Sequence, residues 1–343
     1  MQRFPLKPST VIIILQIAVL CLMVIPLCIK SREAAAQNAL VSAQETEEAD
    51  KKEDYIHWVD FTVPSIIMEQ AFRLDMNSCL DEIHLNWIEL LAYLGAKYGG
   101  DFSRFKQSDL DALVEHLNTG ETMDVLTENM KYFDYYLEAY TAVLGGMVGY
   151  FERETDTGWE SQYGLKAFSP IAKSFPYNDY DDFGAARSYG FKRQHLGHDM
   201  MGQVGTPIIA VESGYVEALG WNQYGGWRIG IRSFDKKRYY YYAHLRKNYP
   251  YQSNLEVGST VTAGDVIGYL GRTGYSTTEN TNNIDTPHLH FGLQLIFDES
   301  QKEGNNEIWI DCYQLVNFLR LNQSQVVKVE GTKEWTRVYG QKE

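Results

Sequence analysis

Between residues 208 and 296 the chain alternates in short runs: 208–211, 215–219, 228–232, 239–244, 266–270 and 288–296. Each is closed by glycine or a polar turn such as Glu212-Ser213-Gly214. A period of two sends successive side chains to opposite faces of an extended backbone, and the same run wound as a helix would have no apolar face. Short strands at regular spacing predict an all-β domain, antiparallel and closed as a sandwich or barrel.

Upstream, over 61–153, the period changes to that of helices. Leu80, Ile83, Trp87, Leu90, Leu91 and Leu94 recur at three and four residues, which places them on one helical face, and Gly99-Gly100 stops the run. Ser108 and Asp111 resemble a capping box around Leu110, Leu113, Val114 and Leu117. Met130, Phe133, Leu137, Tyr140 and Leu144 form a third run. A small helical bundle is expected, serving as a spacer or as a docking module for an envelope protein. Glu69, Glu82, Glu89, His84 and His116 read as ordinary polar helix faces and not as a second site.

Residues 11–29, VIIILQIAVLCLMVIPLCI, carry no charge over nineteen positions. As a helix they would measure about 28 Å, close to the roughly 30 Å hydrocarbon core of a bilayer. A cleavable signal peptide ending near Ala34-Ala35-Ala36 is the competing reading. The long apolar run and the charges at Lys30 and Arg32 favour an uncleaved transmembrane anchor. Residues 31–60, rich in Ala, Gln, Glu, Asp and Lys, read as a solvated linker.

The expected plan is therefore an anchor over 1–30, a linker over 31–60, helices over 61–153, a second linker over 154–186, a β domain over 187–325 and a loose tail over 326–343. The net charge of −14 excludes a nucleic-acid binder, which needs a basic surface to displace counterions from phosphate. Cys79 and Cys312 lie in different expected domains and no CxxC spacing occurs, so neither a disulfide nor a thiolate metal site is expected.

Five of the eight histidines fall in the β region. His195-Leu-Gly-His-Asp199 and His288-Leu-His290 together offer two imidazoles and a carboxylate, a ligand set that suits Zn²⁺ and leaves a fourth tetrahedral position open. On a strand His288 and His290 project from one face while Leu289 and Phe291 enter the core. One of the pair can then bind metal while the other reaches water. The same alternation places His244 on the face of Tyr242 and Tyr240. His198, beside Asp199, is expected behind the ligands or at the surface.

Residues 184–319 resemble the lysostaphin/LytM-type zinc endopeptidases, the peptidoglycan hydrolases that carry HxxxD and HxH motifs. The segments that carry the resemblance occur in family order. They are His195-Leu-Gly-His-Asp199, Gly205-Thr-Pro-Ile-Ile-Ala-Val-Glu-Ser-Gly214, Tyr242-Ala-His-Leu245, Val261-Thr-Ala-Gly-Asp-Val-Ile-Gly268, Gly271-Arg-Thr-Gly274 and His288-Leu-His-Phe291. The resemblance implies a duplicated-hybrid-motif-like β fold, one Zn²⁺ on His195, Asp199 and His290, and catalytic roles for His244 and His288. It implies Tyr189 as a candidate oxyanion donor. It also implies a peptidoglycan peptide as substrate; with residues 11–29 as a single-pass cell-membrane anchor, that job places the β domain outside the cytoplasm. Two departures stand out: residues 273–287 are longer than the family's usual turn before HxH, and Gly292 stands where an acidic residue is common. The alternatives are a scaffold of the envelope or of sporulation that uses the same fold without catalysis, and a different zinc hydrolase such as a carboxypeptidase or amidase.

Overall fold

The computed structural model describes residues 61–188, 192–302 and 306–343. The apolar run 11–29, the stretch 31–60 and Tyr189 lie outside the described residues. Among the described residues no helix is long and apolar enough to cross a membrane.

Five helices come first: α1 (Ser65–Ser78), α2 (Trp87–Tyr98), α3 (Gln107–Asn118), α4 (Met123–Thr127) and α5 (Phe133–Leu144). The run read as continuous from Leu80 to Leu94 is broken. Leu80 is 85% exposed between α1 and α2, and α2 starts only where the Asn86 side chain accepts hydrogen bonds from the Ile88 and Glu89 N–H groups. Two orphan donors satisfied by one side chain outweigh the apolar periodicity upstream. Gly99 closes α2 at φ +63°, a left-handed cap that costs glycine nothing. The Ser108 capping box does not form, because α3 begins two residues earlier than that cap requires, at Gln107 after Lys106, with no side-chain cap.

Strands follow in antiparallel pairs. β1 (Val148–Thr155) pairs with β2 (Gly158–Leu165) and with β17 (Gln341–Lys342). The main sheet has eight strands. Seven run in the order β11 (Thr260–Val261), β8 (Gly214–Asn222), β9 (Gly226–Ser233), β10 (Arg238–Ala243), β13 (His288–Leu295), β6 (His198–Met201) and β3 (Asn178–Asp179). β14 (Ile308–Ile310) joins alongside β13. Smaller pairs are β4 (Ala186–Ser188) with β5 (Lys192–Gln194), β7 (Pro207–Ile209) with β12 (Val266–Tyr269), and β15 (Val326–Lys328) with β16 (Trp335–Arg337). Residues 154–186, read as a linker, thus hold β2 and β3, and the stretch read as a loose tail supplies β15, β16 and β17.

The helices do not enclose a core of their own. Their buried residues run into those of the main sheet as one cluster. The joint is aromatic and ionic. Phe318, on α6 (Tyr313–Leu319), meets Phe72 edge-on at 5.7 Å and stacks on Trp87 at 5.5 Å. Beside it, buried Arg238 donates from Nη1 to the Ala142 carbonyl at 3.1 Å, while its Nε and Nη2 clasp Glu212 at 2.8 and 2.9 Å. A buried arginine is tolerable only when its donors are satisfied in this way.

Candidate metal centre

Register builds the site. His290 on β13 stands directly opposite Asp199 on β6 and opposite Ala243 on β10. Residues opposed across an antiparallel pair share a face, so His290 and Asp199 emerge together. His288, two residues back, joins them, while Leu289 and Phe291 are fully buried on the other side. His195 arrives from outside the sheet. Its N–H donates to the Ala185 carbonyl and its own carbonyl accepts from Gly184 N–H, which fastens the β4–β5 hairpin beside β6.

Three donor atoms converge. His195 Nε2 lies 3.0 Å from Asp199 Oδ1 and 3.1 Å from His290 Nδ1, and those two are 2.8 Å apart. Among the described residues this is the one group whose donor atoms could hold a metal ion. A tetrahedral ion with bonds of about 2.0–2.1 Å has ligand edges of about 3.3 Å, so a small expansion of this triangle accommodates it. The chemistry of the donors also fits. His195 Nδ1 meets Asp182 Oδ1 at 2.9 Å; with the proton on Nδ1, Nε2 carries a lone pair aimed at a carboxylate oxygen. Two electron-rich atoms at 3.0 Å repel unless a positive charge lies between them.

Around the triangle, ordinary packing is tight. A Cβ on Gly197 would meet His290 Cε1 at 2.5 Å and Nε2 at 2.6 Å, so only glycine lets that ring lie flat. Trp309 fills the space beside Gly292, where an added Cβ would strike Trp309 Cζ3 at 2.6 Å. That packing accounts for the missing acidic side chain. Tyr241 stands between the His290 and Trp309 rings, 6.0 Å from each.

His288 and His244 flank the open side. The His288 Nδ1–H donates to the Thr286 carbonyl at 2.8 Å, and the His244 Nδ1–H donates to the Thr273 carbonyl at 2.9 Å. A carbonyl only accepts, so both rings carry a proton on Nδ1, and in the neutral form Nε2 is bare. Their centroids are 4.7 Å apart, and His288 Nε2 is 3.7 Å from Asp199 Oδ2.

The alternation expected for His244 fails. Tyr240 and Tyr242 lie in the core, Tyr240 donating to Glu212 and Tyr242 accepting from Val211 N–H. β10 ends at Ala243, and His244 takes φ +62°, a left-handed conformation that turns the ring to the site face. A non-glycine residue held there costs about 1 kcal/mol or more.

Burial lowers the His244 pKa well below its ordinary 6.5, with the neighbouring His288 and His290 pushing the same way. Burial also lowers His290, against the pull of Asp199. For Asp199 burial alone would raise the carboxyl, but the surrounding His195, His290 and His288 imidazoles hold it well below the carboxylate range. His198 faces away: its Nε2 meets Asp179 Oδ2 at 3.0 Å and its ring packs on Tyr313. The long loop before β13 borders the site through Tyr275, whose ring is 5.7 Å from His244. Asn280 pins that loop by accepting from Trp227 Nε1 and from Asn248 N–H.

Asp182 and Arg187 were not visible from sequence. Arg187 Nη1 holds Asp199 Oδ2 at 2.9 Å and its Nη2 pairs with Asp182. A DD pair in an aperiodic stretch gives no signal of this.

Residues 193–304 match the family model described as Peptidase family M23. The L-Ala--D-Glu endopeptidase of Bacillus subtilis (strain 168) is 34% identical over 159 residues, 43% of this chain and 47% of that protein. Lysostaphin of Staphylococcus staphylolyticus is 41% identical over 98 residues, 28% of this chain and 18% of its own length. The chain thus spans under half the length of either relative. A crystal structure from Ruminococcus gnavus ATCC 29149, of a candidate glycyl-glycine endopeptidase lytM, superposes with a TM-score of 0.55 at 23% identity. It covers 80% of this chain and 95% of that one. That breadth extends the likeness in fold beyond the M23 domain.

Proposed function

We propose that this chain is a zinc-dependent endopeptidase that hydrolyses peptide bonds in bacterial cell-wall peptidoglycan, with residues 11–29 anchoring it so that the β domain lies outside the membrane. The observation that carries the reading is the convergence of His195 Nε2, Asp199 Oδ1 and His290 Nδ1 beside two histidines with bare Nε2 atoms. The first relative supports the substrate. Its named bond joins an L- to a D-residue, a linkage absent from ribosomal proteins and present in peptidoglycan stems.

His195, Asp199 and His290 are the ligands in this reading. Zinc held there would polarise the scissile carbonyl and bring the pKa of water down toward about 7. His288 or His244 accepts the proton of the attacking water at Nε2 and returns it to the leaving amine. Their Nδ1–H bonds to backbone carbonyls keep both rings in the tautomer that can accept. Tyr275 and the pinned loop shape the groove for one class of peptide.

Residues 56–343 incubated with purified peptidoglycan, with and without a chelator, test the reading. New amine termini in the released muropeptides, lost on chelation and restored by Zn²⁺, are expected. Stoichiometric zinc with no products would overturn it. A truncation at 155 is unsuitable because it cuts the β1–β2 hairpin. For the anchor, protease added outside intact spheroplasts should remove the β domain; full protection would contradict the orientation.

A further inference from the structure

Asp182, in the acidic turn ahead of the β4–β5 hairpin, and Arg187, on β4, between them contact two of the three donor residues, and nothing in the proposed catalysis uses them. Asp182 is brought there by backbone: Ala185 N–H donates to the Asp182 carbonyl at 3.1 Å, and the next bonds, Gly184 N–H to His195 O and His195 N–H to Ala185 O, fix the turn against His195. Asp182 Oδ1 then faces His195 Nδ1 at 2.9 Å, and Asp182 Oδ2 pairs with Arg187 Nη2. From the same guanidinium, Nη1 reaches Asp199 Oδ2 at 2.9 Å. A carboxylate only accepts, so Asp182 calls for the proton on Nδ1 while Asp199 Oδ1, 3.0 Å from Nε2, calls for it on Nε2; a metal on Nε2 needs the first arrangement, which the bond to Asp182 favours. The 3.2 Å approach of Arg187 Nη2 to the same Nδ1 would favour the opposite tautomer, with Nε2 protonated. Asp182 decides between them.

We infer that Asp182 and Arg187 are positioning residues for the metal group: Asp182 fixes the tautomer and ring orientation of His195, and Arg187 ties Asp199 Oδ2 so that Oδ1 is the oxygen presented to the ion. This deepens the zinc reading and rests on it. Partners that orient a ligating histidine typically contribute 10–100-fold in metal affinity. Arg187 also offsets one of the two carboxylate charges, so the turn adds orientation without adding net negative charge to that of Asp199.

The test is Zn²⁺ affinity of the full chain by competition with a chromophoric chelator. It compares wild type, Asp182→Ala, Asp182→Glu, Arg187→Gln and His195→Ala, with the exposed Asp156→Ala as control. Expected are a weakening of about 10–100-fold for Asp182→Ala, partial recovery in Asp182→Glu, a smaller loss for Arg187→Gln, and no change for Asp156→Ala. In the metal-free protein the ring nitrogen chemical shifts of His195 should move from an Nδ1–H to an Nε2–H pattern in Asp182→Ala, a change that a purely structural role would not produce. If Asp182→Ala binds zinc as wild type does while His195→Ala does not, the positioning role fails and the zinc site stands. If wild type itself binds no zinc, both fail.

Discussion

The two halves of the site are built differently. Asp199 and His290 meet because regular strands place them on the same rung of a ladder. His244 reaches the site only because its strand stops and the backbone turns left-handed. Ladder geometry is fixed by many hydrogen bonds and tolerates little adjustment, as suits ligands that must match one ion. The flanking half rests on single bonds from imidazoles to the carbonyls of Thr273 and Thr286, which suits the proton exchange proposed for them.

That contrast can be broken by substitution. Asp199→Ala or His290→Ala should abolish stoichiometric zinc and lower hydrolysis by about 10⁴-fold or more, since several kcal/mol of charge stabilisation leaves with the ion. Metal analysis beside a peptidoglycan assay reads both. His288→Ala and His244→Ala should keep zinc and lose about 10²–10³-fold in kcat, the contribution of a positioned acid or base. Loss of zinc in either variant would erase the distinction between the halves.

Smaller effects sharpen it. Gly197→Ala forces a methyl against the His290 ring and should cost about 1–3 kcal/mol of stability by overpacking. Urea unfolding of the metal-free protein measures that, and an unchanged midpoint would mean that the ring has room. The smallest expected effect is in pH. The His244 pKa is below 6.5 in the folded protein, so between the folded and unfolded values the unfolded chain binds more protons. Stability is therefore present above about pH 6.5 and is lost as pH falls below it. The metal-free urea midpoint should decline from pH 7.5 to 5, and less steeply in His244→Gln. Identical slopes would contradict the burial of a neutral ring.

The same contrast explains what could be read in advance. The convergence of His195, Asp199 and His290 was legible because metal chemistry restricts residue types, and the shared face of His288 and His290 because strand alternation is a property of sequence. The side on which His244 lies was not, since alternation holds only while the strand continues and φ +62° leaves no mark in composition. The start of α2 was misplaced for a related reason: Leu80 and Ile83 keep the helical period, but Asn86 caps the helix after them. Asp182 and Arg187 act through contacts set by a turn, and the carbonyls of Thr273 and Thr286 act through backbone alone. The helices were read correctly as helices, yet their sharing of one core with the sheet depends on Phe318, Trp87 and Arg238, which are far apart in the chain.

The central claim is that three side chains hold one ion with a corner left open. Crystals grown with Zn²⁺ and measured on both sides of the zinc absorption edge test it most directly. The account predicts a single strong anomalous peak bonded to His195 Nε2, Asp199 Oδ1 and His290 Nδ1, with its remaining position turned toward His288 and His244. A peak bonded to other residues, or none at this triangle, would contradict it.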